Sequence, residues 1–226
     1  MVRNAQPPQS EPAQRPRRRR NSLDAGVIRA AARGVLEEGG IAAFTMRAVA
    51  DRLGAAPMAL YNHVGSKEEL LDGVLDEVLA ELQLRDDPTR NWAAVMTEYA
   101  QRHLALLRRH PWAVSALMSR PDPGPAATAI GEVYLATALR GGLDPGRAVI
   151  AFTGLLALVY GAAGFLTAPA RGETQSREEV EAQIRGAAEA ENPVTRQAAD
   201  ELADYGSDAQ LAIAFRALLD GLAQQS

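Results

Sequence analysis

Apolar residues recur every three or four positions along most of the chain, which is the spacing of amphipathic helices. Residues 45–67 show it as two short helices followed by the start of a third. Thr45 is a suitable N-cap for the first helix, and Gly54 can end it because glycine adopts left-handed backbone without a Cβ clash. Pro57 suits the first turn of the second helix, and Ser66 with Glu69 forms a capping box for the third.

The same periodicity predicts helices through the rest of the chain. One is capped by Ser22 or Asp24 and ends at Gly39–Gly40, and the helix after Pro57 runs to about residues 64–65. The others are expected from Ser66 to the residues 86–88 that end it, at 91–109, around 112–118, at 126–140, from 145 onward and at 207–222, with a weak helix within 173–191. Runs of β-branched residues are scarce, so the fold class is all-α.

The segment between Arg147 and Arg171 contains no charged residue. Its length would allow it to span a bilayer, since about 20 apolar residues suffice. Its several glycines and alanines, and the lack of a basic cluster beside it, favour a helix buried in a bundle or at a subunit interface. We therefore expect no membrane partner, and keep a membrane-associated helical adaptor as the alternative.

Charge is distributed unevenly along the chain. The 226 residues carry a net charge of −4, yet residues 1–67 hold eleven Lys and Arg against five Asp and Glu, while the remainder hold thirteen against twenty-three. A basic first part on an acidic body indicates that one end meets a polyanion. Residues 1–21 lack an apolar core, so they do not form a signal peptide, and we expect a disordered basic arm.

Catalytic motifs are missing from the sequence. There is no cysteine, and the three histidines, His63, His103 and His110, have no partner at metal-ligand spacing. We therefore predict a protein that is not an enzyme and that has no metal and no cofactor. A helical enzyme with an unrecognised site is the other alternative.

Pattern alone leaves residues 45–64 evenly divided between an αα-hairpin and a helix-turn-helix, whose second helix enters the DNA major groove. The stretch FTMR, then VA, LG and above all ALYNHVGSKEELL, resembles the TetR family of transcriptional repressors. The body resembles the tetracycline-repressor branch. This resemblance implies residues 22–67 as a DNA-binding head and residues 68–226 as a ligand-binding and dimerisation body. It further implies a cytoplasmic homodimer on a palindromic double-stranded DNA operator, released by a small-molecule effector.

The resemblance also identifies the DNA-binding residues. It implies backbone contacts from Thr45, Arg47, Tyr61, His63 and Lys67, and base-facing positions at Pro57, Met58 and Ala59. Asn62 and Arg47 are the polar candidates for base contact. Hydroxyls and cations at helix starts suit phosphates. The apolar trio can touch a thymine methyl but cannot make the bidentate hydrogen bonds that read guanine or adenine.

For the effector we expect a pocket lined by aromatic, methionine and histidine side chains of the body: Met96, Tyr99, His103, Trp112, Met118, Phe152 and Tyr160. Each of these residues is as compatible with a plain core position as with a pocket. Ala116 occupies the position that aligns with the metal-binding histidine of the tetracycline repressor, which argues against a magnesium–tetracycline chelate. The homodimer is expected to form through the eighth helix and the last helix.

Overall fold

The computed structural model describes residues 23–120, 124–166, 176–187 and 192–224. These residues form helices and loops, with no strand among them. The helices are α1 (Ala25–Ala43), α2 (Met46–Leu53), α3 (Pro57–Leu60), α4 (Lys67–Ala80), α5 (Trp92–Arg109), α6 (Pro111–Ser119), α7 (Pro125–Arg140), α8 (Pro145–Leu166), α9 (Arg177–Ala187), α10 (Pro193–Gln197), α11 (Ala199–Ala203) and α12 (Asp208–Gln224). The all-α prediction is confirmed, while the predicted arm at 1–21 lies outside the described residues.

Helices α1 to α3 form the head, whose core includes Ile28, Phe44, Val49 and Leu60, all fully buried. Asp24 caps α1 by accepting a hydrogen bond from the Val27 N–H at 2.9 Å. The predicted end at Gly39–Gly40 is only partly correct. Gly40 leaves the helical conformation with φ of 65°, but one more helical turn follows it to Ala43.

The turn between α2 and α3 agrees with the capping signals. Thr45 Oγ1 accepts from the Ala48 N–H at 3.1 Å, and Gly54 is left-handed with φ of 64°. Helix α3 is shorter than predicted. It ends at Leu60, where the His63 N–H donates to the Leu60 carbonyl at 2.9 Å and tightens the chain into a turn.

Helix α4 leads from the head into the body. Ser66 Oγ accepts from the Glu69 N–H at 3.0 Å as predicted, but Glu69 Oε2 reaches back to the Gly65 N–H at 2.9 Å rather than to that of Ser66. The helix ends at Ala80, earlier than predicted. Leu82 and Leu84 remain buried beyond that end, so the apolar stripe outlasts the helix.

The body (α5 to α12) packs α5, α7, α8 and α12 against one another, with α6 joining α8. By length and composition, α8 alone among the described helices could cross a membrane. Its positions Ala151, Leu155 and Val159 are fully buried against these neighbours, whereas Ile150 and Phe165 are exposed. Because only one face of α8 is buried, the bundle does not enclose this helix on all sides. Its other apolar face lies at the surface of the protomer.

Helices α9 to α11 pack mainly on one another. Arg177 at the start of α9 holds the unit together by pairing with Asp200 at 2.7 Å and Asp204 at 2.8 Å. The weak helix predicted within 173–191 corresponds to α9, while α10 and α11 were not predicted.

Candidate functional site

The sequence-predicted DNA-facing residues surround α2, α3 and the start of α4. Most are exposed and two, Ala59 and Lys67, are half-buried; the exposed ones are Thr45, Arg47, Pro57, Met58, Tyr61, Asn62 and His63. Lys67 Nζ lies 5.4 Å from the centroid of the Phe44 ring. Because Phe44 precedes Thr45, this contact brings the starts of α2 and α4 together. The Thr45 hydroxyl and the Lys67 ammonium therefore belong to one surface.

The cations of the head differ in their availability. Arg47 is 86 % exposed at its side chain and approaches Asp51 only loosely, at 3.8 Å. Arg52, in contrast, is paired with Glu38 at 2.7 Å, and the hydrogen bond from Arg52 lowers the pKa of Glu38. Arg47 is thus more available to an anionic partner than Arg52 is.

Met58 is the most exposed large apolar side chain of the head, at 75 %. It lies in the first turn of α3, beside exposed Pro57. A side chain without strong donors or acceptors at this position offers contact to apolar groups and no hydrogen-bond readout.

The predicted effector residues divide into two groups. Met96, Tyr99, His103 and Trp112 are buried, and Phe152 and Tyr160 are partly buried against the core. Met118 is 73 % exposed on α6, so the structure does not place it with the others.

Aromatic rings from three helices meet in the body core. The Tyr99 and Tyr134 centroids are 5.2 Å apart, those of Tyr134 and Phe152 are 5.3 Å apart, and the His103 ring lies 5.7 Å edge-on from Tyr160. We call these five residues the aromatic cluster. Tyr134 was missed by sequence reasoning, although it is the one aromatic residue of the predicted seventh helix and lies in the middle of it.

The polar atoms of the aromatic cluster are only partly satisfied. The Tyr99 hydroxyl lies 3.3 Å from Thr137 Oγ1, which donates to the Val133 carbonyl at 2.8 Å. Both ring nitrogens of His103 and the Tyr134 hydroxyl are buried without a hydrogen-bond partner among the described residues. Burial lowers the pKa of His103 to about 4 and raises the pKa of the Tyr134 hydroxyl. Both groups are therefore neutral at physiological pH.

Ion pairs attach α4 to the head on one side and to the body on the other. Arg29 and Arg33 of α1 pair with Glu77 and with Glu81, the latter at 2.6 Å. Toward the body, Asp72 forms a bidentate pair with Arg120, and Asp76 accepts from the Ala126 N–H in the first turn of α7 at 2.6 Å. Helix α4 and the residue that follows it therefore form polar contacts with both the head and the body.

No group of three or more His, Asp or Glu side chains within the described residues could hold a metal ion. A groove of about 340 Å³ runs between α8 and the start of α12, with Phe165 and Tyr205 in its wall. Its lining is mostly apolar and includes Ala157, Leu158, Gly161, Ala162, Leu211 and Ala214.

Comparison with known proteins agrees with this architecture. The family described as "Bacterial regulatory proteins, tetR family" matches residues 28–74, and "Tetracyclin repressor-like, C-terminal domain" matches residues 85–226. The chain therefore belongs to the tetR family of bacterial regulatory proteins, with a body of the tetracycline-repressor type.

Individual relatives share part or most of the chain. An HTH-type transcriptional regulator of Saccharopolyspora erythraea is 36% identical over 108 residues, which are 47% of this chain and 46% of that protein. The HTH-type transcriptional repressor DrrR1 of Streptomyces coeruleorubidus is 39% identical over 102 residues, 45% of this chain and 37% of that one. The match thus spans less than half the length of these curated relatives.

Among solved structures, the transcriptional regulator SCO7222 of Streptomyces coelicolor is 27% identical and superposes with a TM-score of 0.71. The superposition covers 88% of this chain and 97% of that one. Head and body together therefore share their fold with this regulator.

Proposed function

We propose that this protein is a cytoplasmic, homodimeric transcriptional repressor that binds a palindromic operator through its head and leaves it when a small molecule occupies its body. The observation that carries the proposal is the exposed surface formed by the starts of α2, α3 and α4. This surface lies within residues 28–74, which match the tetR family of regulatory proteins. Residues 22–67 serve as the DNA-binding domain and residues 68–226 as the effector and dimerisation domain.

Phosphate contacts are assigned to Thr45, Arg47, Tyr61, His63 and Lys67. Lys67 is the first residue of α4, so its ammonium and the helix N-terminus attract the same anion. Pro57, Met58 and Ala59 face the base edges in this proposal. Contacts from the backbone-binding set fix the position of α3 in the major groove, where the apolar trio can distinguish bases.

The dimer is proposed to form through α8 and α12. Phe165 of α8 and Ile213 of α12 expose 71 % and 70 % of their surface. Large apolar side chains exposed in this way are typical of protein–protein interfaces. A Cβ placed on Gly161 would meet no atom within 4 Å, which leaves room for a partner helix to approach closely. A second copy is the occupant that the proposed palindromic operator requires.

Effector control is proposed to act by a shift between two arrangements of α4. A dimer reads two half-sites about 34–36 Å apart, so the tilt of α4 in each protomer sets DNA affinity. The ion pair of Asp72 with Arg120, the residue after α6, and the hydrogen bond from the Ala126 N–H of α7 to Asp76 connect that tilt to the core around the aromatic cluster. A ligand that binds the wrongly spaced arrangement more tightly releases DNA by its differential affinity.

A gel-shift titration in rising salt tests the DNA-binding part, using a duplex selected from a random pool by the purified protein. Affinity should fall steeply with salt, and Lys67→Ala should reduce the slope of log K against log[salt] by about 2 for a dimer, or about one per lost phosphate contact. Arg90→Ala is the matched control, since Arg90 pairs with Glu98 at 2.7 Å in the body. Enrichment of no duplex, or affinity independent of salt, would refute the proposed function.

A further inference from the structure

His110 lies at the corner where α5 ends and α6 begins. Its N–H donates to the Leu106 carbonyl at 3.1 Å, and its own carbonyl accepts from the Ala113 N–H at 2.9 Å, so the residue closes one helix and opens the next. Only 7 % of the residue is exposed, although its ring carries two polar nitrogens. Buried polar atoms of this kind need hydrogen-bond partners, and here the partners come largely from the head.

Charged groups from three further elements surround the His110 ring. Nδ1 lies 2.6 Å from Glu37 Oε1 of α1, and Nε2 lies 3.6 Å from Oε2 of Glu81, the residue after α4. Arg33 of α1 places Nη2 3.4 Å from Nε2 and pairs with Glu81 at 2.6 Å. Arg109, the last residue of α5, also reaches Glu81 at 3.4 Å, while α6 contains no charged side chain. We call these five residues the junction cluster.

The hydrogen atoms of the His110 ring can be placed from its partners. A carboxylate only accepts, so Nδ1 carries a hydrogen and donates it to Glu37. In a neutral imidazole Nε2 then carries a lone pair, which can accept from Arg33 but faces Glu81, another acceptor. Protonation of the ring places a hydrogen on Nε2 and turns the contact with Glu81 into a charge-assisted hydrogen bond.

Glu81 is ionised and able to accept this hydrogen bond. Burial alone would raise the pKa of Glu81, but Arg33, His110 and Arg109 outweigh it, so that the pKa lies below its ordinary value. A proton on His110 therefore adds a second bond to the corner between α5 and α6. That corner would then be tied to α1 of the head through Glu37 and to the end of α4 through Glu81.

From this geometry we propose that His110 is a positioning residue that holds the head in its operator-binding arrangement, and that protonation of its ring tightens this hold. The proposal rests on the proposed repressor function, in which the orientation of each head sets the spacing of the two α3 helices. A tighter junction leaves the head fewer orientations. Such preorganisation raises affinity, because less freedom is lost on binding. Operator affinity therefore rises as the pH falls.

The test measures the affinity of the full chain for the selected duplex between about pH 8 and pH 5.5, the range in which histidine side chains gain their proton. All chains carry His63→Gln, since a proton on His63 would act directly on the DNA. The pKa of His103 is about 4, so this buried ring stays neutral throughout the range. His110 is the remaining histidine. Affinity should rise by at least about tenfold on acidification, as one added charge-assisted hydrogen bond provides.

Two further substitutions, each added to this background, assign the rise to the junction cluster. His110→Asn keeps a donor for Glu37 but cannot gain a proton. Glu81→Gln removes the carboxylate that accepts the second hydrogen bond. Each should abolish the rise in affinity. A rise that persists in either variant, or that is missing from the background chain, overturns the proposal.

Glu98→Gln is the matched control. It also removes a carboxylate from a pair with an arginine, here Arg90 at 2.7 Å, but it lies away from the junction cluster and should keep the rise. Titrations in salt provide a second readout. The slope of log K against log[salt] should be the same at both ends of the pH range, because the junction adds no phosphate contact. A steeper slope at low pH would mean that the proton acts at the DNA surface, which contradicts the proposal.

The junction role and the repressor function fail in different ways. If the duplex is bound in a salt-dependent manner but its affinity does not rise on acidification, the junction role is wrong and the DNA-binding function stands. If no duplex is bound at any pH, the repressor function fails and the junction role fails with it.

Discussion

Met58→Ala should weaken binding to the selected operator by a predictable amount. In the free protein the Met58 side chain is 75 % exposed, so the substitution leaves the core of the head intact. On DNA, this side chain would cover about one thymine methyl group per half-site. Burying one methyl is worth about 0.8 kcal/mol, or about fourfold in affinity, and two half-sites together give about fifteenfold.

The methyl group itself can be removed from the DNA. Duplexes in which single thymines of the operator are replaced by uracil lose the methyl without changing any hydrogen bond of the base pair. We expect one position per half-site at which uracil weakens the parent protein by about fourfold. The same replacement should have no effect on Met58→Ala, because a double-mutant cycle isolates the contact between the two groups.

Met118→Ala provides the matched control, since Met118 is equally exposed but lies on α6 of the body. It should bind all duplexes as the parent does. The reasoning would be refuted if uracil weakened the parent and Met58→Ala equally at every position, or if Met118→Ala reproduced the loss.

Other predictions concern stability and assembly. The pKa of His103 is about 4 in the folded protein and about 6.5 in the unfolded chain. As the pH falls, His103 is therefore protonated in the unfolded chain before it is protonated in the folded protein, which favours unfolding. Chemical denaturation should show stability lost between about pH 6.5 and 4, on the order of 3 kcal/mol, and His103→Phe should remove that loss; an unchanged pH slope in the variant contradicts the assignment. Thr45→Ala removes the cap of α2 and should lower the free energy of unfolding by about 1 kcal/mol, measured by thermal unfolding against the parent chain. A loss below a few tenths of a kcal/mol would contradict the role of the cap. Phe165→Glu should shift sedimentation from dimer to monomer, while a persisting dimer would exclude this face of α8.

Local capping signals made much of the head and several body helices predictable. Asp24, Thr45 and Ser66 each accept a hydrogen bond from an N–H group of the first turn that follows them, as their sequence positions indicate. Such contacts span three residues and depend little on the rest of the chain. The ends of α3 and α4 were less predictable, because apolar spacing continues past each helix into buried non-helical residues such as Leu82.

The aromatic cluster was only partly predictable for the opposite reason. Tyr99 and Tyr134 are 35 positions apart, and only the packing of α5 on α7 brings their rings together. Met118 was included in the predicted pocket with Trp112, yet the two are six residues apart on α6. They therefore point about 120° apart around the helix axis, and one faces the core while the other faces solvent.

The acidic residues of α4 determine how a single substitution can abolish the regulatory response. Asp72 and Asp76 bind body elements, whereas Glu77 and Glu81, the residue that follows the helix, bind α1. Four carboxylates on α4 and at its C-terminal end therefore contact both parts at once. A single substitution such as Asp76→Ala leaves the operator-facing and effector-facing side chains untouched. We expect this variant to bind its operator and its ligand with normal affinities, while ligand binding no longer lowers its affinity for the operator.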